Sequence, residues 1–146
     1  MELFKRFKNI EVGLTVNSFE ESVKNDLEPH SPSIGRRVDA LKRLYESGVR
    51  NYAFISPIIP KLTDVEKIIT DTRGFVTYYF FEFLNFRAAG SEFRKFLRDK
   101  YWEAYEVMSN RDKFEGYVRD TIKVIRKSMV KIGGICLHYP TFIILN

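Results

Sequence analysis

Between residues 10 and 60 the hydrophobic pattern passes from alternation to helical spacing and back. In Ile10-Glu11-Val12-Gly13-Leu14-Thr15-Val16-Asn17 the apolar residues Ile10, Val12, Leu14 and Val16 alternate with Glu11, Gly13, Thr15 and Asn17. That period of two predicts a strand with one greasy face and one small or polar face. Ser31 then reads as a helix N-cap with Pro32 at the first helical position. Ile34, Val38, Leu41 and Tyr45 fall on one side of that helix before Gly48, a left-handed C-terminal cap, ends it. A second strand, Tyr52 to Ser56, breaks at Pro57 and Pro60, because proline cannot donate to a sheet ladder. A helix between two strands is a crossover, so the pair is expected to be parallel.

The flanking segments extend this alternation of elements. Residues 1–9 read as a helix tail or an extended lead-in. Phe19, Val23 and Leu27 recur at helical spacing behind Glu20 and Glu21, which predicts a short helix after the first strand. Thr63 and Glu66 form a capping box for a helix of about three turns through Val65, Ile68 and Ile69, ended by Arg73-Gly74. Residues 75–86 are nearly continuously apolar and aromatic, as a parallel strand covered on both faces would be. Glu82 and Asn85 stand out there. A buried carboxylate is costly, so Glu82 must sit at the strand's open end, pair with another group or bind a ligand. Residues 91–109 and 113–131 each read as one amphipathic helix, the second with Met129 on its apolar stripe and Gly133-Gly134 closing it. Residues 135–139 and 142–145 supply a final strand or pair. The order βαβαβααβ predicts an α/β fold, barrel or doubly wound, with ligands at the C-terminal strand ends: 15–18, 56–58 and 82–87.

Composition narrows this little. A chain of 146 residues, 45% hydrophobic and 29% charged, suits one soluble domain spanning 1–146, with no run long enough for a membrane span. The start lacks a signal-peptide core, so the chain reads as cytoplasmic. One cysteine, Cys136, excludes an intrachain disulfide and a thiolate-built cluster, and it reads as a buried core thiol. His30 and His138, the two histidines, belong to unrelated elements, so no metal ligands and no catalytic triad are assigned. Phosphate-loop, Rossmann and zinc motifs are missing from the sequence. A net charge of +5 leaves room for an acidic partner. Arg119, Lys123, Arg126 and Lys127 cluster opposite the apolar stripe of the last helix, as a solvated face or a nucleic-acid contact.

The stretch Val12 to Ser18, then Leu27-Glu28-Pro29, Ser31-Pro32-Ser33, Arg37, Ala40-Leu41 and Gly48, then Ser56-Pro57-Ile58-Ile59-Pro60 with Leu62-Thr63-Asp64 resembles one family. It is similar to the radical S-adenosylmethionine enzymes of the spore photoproduct lyase-like, or DNA repair photolyase, type. The likeness covers residues 10–87, with an echo of the family's sixth strand in Glu82 to Arg87. It implies half of a TIM-type barrel with mainly parallel strands, followed over 88–146 by two long C-terminal helices and a final strand. It places Thr15 and Asn17 near the ribose and amino-acid part of S-adenosylmethionine, Ser56 and Ile58 beside its adenine or ribose, and Glu82 at the same mouth. Arg37 falls near the cofactor carboxylate or in a loop salt bridge with Glu28. Each has a structural reading as well: Thr15 and Asn17 as a strand end, Ser56 as a strand break, Arg37 and Glu82 as members of ion pairs.

Two departures bear on activity. The family's CxxxCxxC motif is missing, so a [4Fe–4S] cluster requires a separate polypeptide, and Lys61 stands where the family places glycine. The resemblance therefore implies an S-adenosylmethionine-binding half of a split enzyme, or an inactive remnant, with no catalytic residue of its own and no activity alone. It pairs as a homodimer or with an N-terminal half. The rival reading is a non-catalytic module on an α/β frame that binds nucleic acid or protein.

Overall fold

The structure, a computed structural model, describes residues 3–18, 20–138 and 141–144, with Lys5 and the last four as backbone only. Strands β1 (Glu11–Thr15), β2 (Arg50–Ile58), β3 (Tyr78–Phe83) and β4 (Ile132–His138) lie side by side in sequence order and run parallel. Strand β5 (Thr141–Ile144) adds antiparallel to β4. Helices α1 (Glu21–Leu27) and α2 (Ile34–Glu46) join β1 to β2, and α3 (Val65–Thr72) joins β2 to β3. Helices α4 (Gly90–Lys100), α5 (Trp102–Ser109) and α6 (Arg111–Lys127) join β3 to β4. The chain is thus α/β, with a four-stranded parallel sheet and six helices among the described residues. No helix there is long and apolar enough to cross a membrane.

The two faces of the sheet differ. Leu14, Ala53, Ile55, Tyr79, Phe81, Phe83 and Ile135 pack with Ile34 and Leu41 of α2, Val65, Ile68 and Ile69 of α3, and Val118 and Ile125 of α6 to form the main core. The opposite face carries Gly13, Tyr52 and Tyr78 in one row and Thr15, Phe54, Phe80 and Gly134 in the next. Tyr52 stacks on Tyr78 with centroids 5.2 Å apart, and both meet Phe80 edge-on. Tyr52, Phe54 and Phe80 remain half-buried and belong to neither hydrophobic core among the described residues. A second core lies beyond the strand ends, where Ile59 meets Leu97, Ala104 and Met108 and is flanked by Leu84, Phe86 and Phe114.

Glycines make the aromatic face buildable. A Cβ on Gly13 would stand 2.0 Å from the Tyr52 ring, and one on Gly133 2.8 Å from Phe80. The Gly133-Gly134 pair therefore lies inside β4 rather than closing α6. That helix stops at Lys127, and Met129, expected on its apolar stripe, is 89% exposed with a φ of 57°.

Other expectations are corrected by side-chain contacts. Ser33, not Ser31, caps α2, accepting from the Arg36 N–H, and Leu44 takes the buried place expected of Tyr45, which is exposed. Asp64, not Thr63, caps α3 by accepting from the Lys67 N–H. Thr63 accepts instead from the Ile59 N–H at 3.1 Å. Strand β2 continues through Pro57, with the pairing register slipping between Ile55 and Ile58, where proline offers no N–H. Residues 75–86 yield a strand covered by helices on one face only. The single helix expected over 91–109 breaks at Tyr101, whose hydroxyl is held by Asp26 of α1, so three C-terminal helices replace two. Lys61, in place of the family's glycine, has a φ of 67°, the left-handed conformation that glycine would take without strain. Expectations at Phe19, Tyr139, Pro140 and Leu145 fall outside the described residues.

Candidate functional site at the strand ends

Parallel strands aim their C-terminal ends the same way, and here those ends line a groove. Two cavities of about 260 and 270 Å³ share Pro57, Leu84 and Ala89. Asn17 and Glu28 line the first, Glu82 and His138 the second. His138 also borders a cavity of about 470 Å³ beneath α4, α5 and α6, which Arg87, Arg94 and Arg111 line.

At the β1 end, Asn17 is 3% exposed and its Nδ2 donates to Glu28 Oε1 at 2.8 Å. A carboxylate only accepts, so the amide orientation is fixed, and Asn17 Oδ1 is buried with no hydrogen-bond partner among the described residues. Arg37 is buried and acts as a clamp. It donates to the Pro32 carbonyl at 3.0 Å, the Thr15 carbonyl at 3.2 Å, Ser31 Oγ at 2.5 Å and the Glu28 carboxylate. Burial alone would push the Glu28 carboxyl up, but hydrogen bonds from Arg37, Ser31 and Asn17, with the Arg37 charge, hold it below the usual range. The loop salt bridge Arg37–Glu28 is present, and Thr15 is drawn into it through its backbone.

At the β2–β4 ends, Ser56 Oγ donates to Glu82 Oε2 at 2.5 Å, and His138 Nε2 lies 2.8 Å from Glu82 Oε1. Cys136 Sγ lies 3.8 Å from the same Nε2. The thiol is half-exposed on the aromatic side of the sheet, not buried in a core, and partial burial with the Glu82 charge holds its pKa up. Glu82 pairs directly opposite Cys136 across β3 and β4, and His138 follows two residues on, on the same face. Ile58 is fully buried in the main core, and its carbonyl accepts from the Leu84 N–H.

The structure thus brings Ser56 and Glu82 together, and Thr15, Asn17 and Arg37 together, at the strand ends. Asn17 and Glu82 line the groove, Thr15, Arg37 and Ser56 stand behind them, and the Ile58 side chain is turned away. Sequence reasoning missed Cys136 and His138. Their spacing of two in a strand was the available signal, but the partner that gives it meaning is 56 residues away in sequence.

Arg119, Lys123, Arg126 and Lys127 are all exposed on α6, and Lys123 pairs with Asp120 at 2.9 Å. Exposed charges of this kind contribute little to stability. Replacing all four by Glu is expected to leave the far-UV circular dichroism unchanged and to lower the unfolding free energy by no more than about 1 kcal/mol in denaturant titration.

No family model matches the chain, and no solved structure matches it. Over 138 residues it is 54% identical to an uncharacterized protein of Methanocaldococcus jannaschii, in a match that covers 94% of this chain and 53% of that protein. The chain spans about half the length of this relative.

Proposed function

We propose that the chain is one half of a radical S-adenosylmethionine-type barrel of the spore photoproduct lyase-like kind. It becomes catalytic when a second half, on the same or another polypeptide, closes the sheet and supplies the cluster-binding cysteines. The observation that carries this reading is the one-sided sheet. Its four parallel strands follow one another in sequence order, with α2, α3 and α6 packed on one face and half-buried aromatics on the other. A doubly wound sheet reverses its strand order and carries helices on both faces, whereas a barrel winds in one direction and encloses the face opposite its helices. β1 is the edge strand among the described residues, and a further strand could join its outer ladder. The M. jannaschii relative, with nearly as much chain again outside the match, gives the reading a precedent in length.

S-adenosylmethionine offers amino and hydroxyl donors, and the groove offers acceptors for them. Asn17 Oδ1 is a buried acceptor with no partner among the described residues, and an acceptor left so costs roughly 1–3 kcal/mol. Glu82, steadied by Ser56, is the acceptor at the other end. Arg37 is a positioning residue, fixing Asn17 through Glu28 and the end of β1 through the Thr15 carbonyl. The cofactor, bound beside a reduced cluster, supplies radical chemistry. This chain's own residues orient it and exclude water from the groove floor. The cluster does not fit this chain, which has one cysteine where the motif needs three.

Co-expression with the portion of the M. jannaschii protein outside the match tests the reading. The expected result is a stable one-to-one complex that takes up iron and sulfide anaerobically and binds S-adenosylmethionine at least about tenfold more tightly than this chain alone. Failure of the two to co-purify, or a self-associated homodimer with the same cofactor affinity, would overturn it.

A further inference from the structure

We propose that Glu82, Cys136 and His138 form a binding site for a thiophilic divalent cation of the zinc class, with three protein ligands and one coordination position open to the strand-end groove. The site rests on this chain's own side chains and needs neither S-adenosylmethionine nor a second half.

One oxygen, one sulfur and one nitrogen converge from two adjacent strands, and all three lie within 4.8 Å of one another. Donor atoms around a tetrahedral zinc ion, with bonds of about 2.0–2.3 Å, stand roughly 3.3–3.6 Å apart. The observed separations, 2.8 Å from Glu82 Oε1 to His138 Nε2 and 3.8 Å from Nε2 to Cys136 Sγ, straddle that range. These two separations each lie within about half an ångström of the tetrahedral spacing, and the carboxylate and sulfur, within 4.8 Å of each other, would close on the ion from the two strands.

Hydrogen bonding serves the trio less well. A single nitrogen, His138 Nε2, faces both the carboxylate and the sulfur, and it carries at most one proton. If that proton goes to Glu82, Nε2 has no lone pair left for the thiol. If Nε2 accepts from the thiol, two lone pairs oppose each other at 2.8 Å. The imidazole–carboxylate hydrogen bond thus leaves the sulfur with a weak contact at 3.8 Å, whereas a cation held by lone pairs of all three would engage it fully.

The scaffold is suited to the task. Glu82 and Cys136 are registered opposite each other on paired central strands, and Cys136 and His138 share a strand face. Ser56 holds the second carboxylate oxygen of Glu82 at 2.5 Å, the kind of outer contact that orients a metal-binding carboxylate. A thiolate, an imidazole and a carboxylate together favour zinc or a chemically similar ion over magnesium or calcium, which prefer all-oxygen sites. Three ligands with a fourth position open is the arrangement of zinc sites that act on a bound water or substrate.

The test uses the purified full chain, without any partner. One equivalent of Zn²⁺ is expected to remain after gel filtration, and Co²⁺ is expected to give thiolate charge-transfer absorbance. Cys136→Ser and His138→Gln should weaken binding at least 100-fold, and Ser56→Ala about tenfold. His30→Ala, at an exposed loop position, should change nothing. Because Cys136 is the sole cysteine, alkylation of the wild-type chain gives a reading that needs no variant. Zn²⁺ should slow it at least tenfold and Mg²⁺ should not. Unslowed alkylation, no retained metal, or undiminished binding by folded Cys136→Ser would each overturn the proposal.

Discussion

Asn51→Leu is expected to lower the unfolding free energy by about 3 kcal/mol, although it replaces a polar residue in a strand by an apolar one. Asn51 is fully buried at the start of β2, at the opposite end of the sheet from the groove. Its Nδ2 donates to the carbonyls of Leu41 at 2.7 Å and Phe75 at 2.9 Å, and its Oδ1 accepts from the N–H and hydroxyl of Thr77 at 3.0 and 3.1 Å. One side chain therefore ties α2 and the approach to β3 onto β2. Leucine would leave the Phe75 carbonyl and the Thr77 N–H without partners, and each such group costs about 1–3 kcal/mol. Asn51→Asp should be worse at neutral pH, because it sets a buried charge against two carbonyls. Burial raises the folded-state pKa of that new carboxyl, so its penalty is greatest above both pKa values and fades as pH falls. Urea titrations at pH 7 and pH 4 read both effects. A loss under 1 kcal/mol for Asn51→Leu would show that water replaces the amide.

Nothing in the sequence marks Asn51, and the reason is general to what was and was not legible. The Gly48 cap is set by neighbours within a few residues, and the parallel pairing of β1 with β2 follows from the helices that the sequence places between them; both are present. The errors arise where distant contacts decide. Gly133-Gly134 resembled a helix stop, but the pair admits the Phe80 ring from the neighbouring strand. Residues 91–109 kept helical spacing across Tyr101, but an Asp26 contact from another helix breaks the run. In the groove, Glu82 was visible as a carboxylate in an apolar strand. Cys136 and His138 gain meaning only when β4 is laid beside β3.

Arg37→Leu should cost about 3 kcal/mol, and its pH dependence says why. Removing one partner of a buried pair costs roughly 3–5 kcal/mol, and the lower figure applies because Glu28 is 28% exposed and can recover some water. In the wild type the Glu28 carboxyl is held below its unfolded-state range. The folded state therefore releases that proton more readily than the unfolded state. The stability this contributes is fully present above the ordinary carboxylate pKa of about 4.3 and is lost as pH falls toward the depressed value. Arg37→Leu removes the guanidinium while burial still acts on Glu28, so this acid-sensitive part should vanish or change sign. Glu28→Gln should abolish it too. In a double-mutant cycle the two changes should cost less together than their sum, by at least about 1 kcal/mol. Additive costs with an unchanged acid limb would mean that the clamp at the end of β1 rests on the Thr15 and Pro32 carbonyls alone, and that Glu28 does not transmit Arg37 to Asn17.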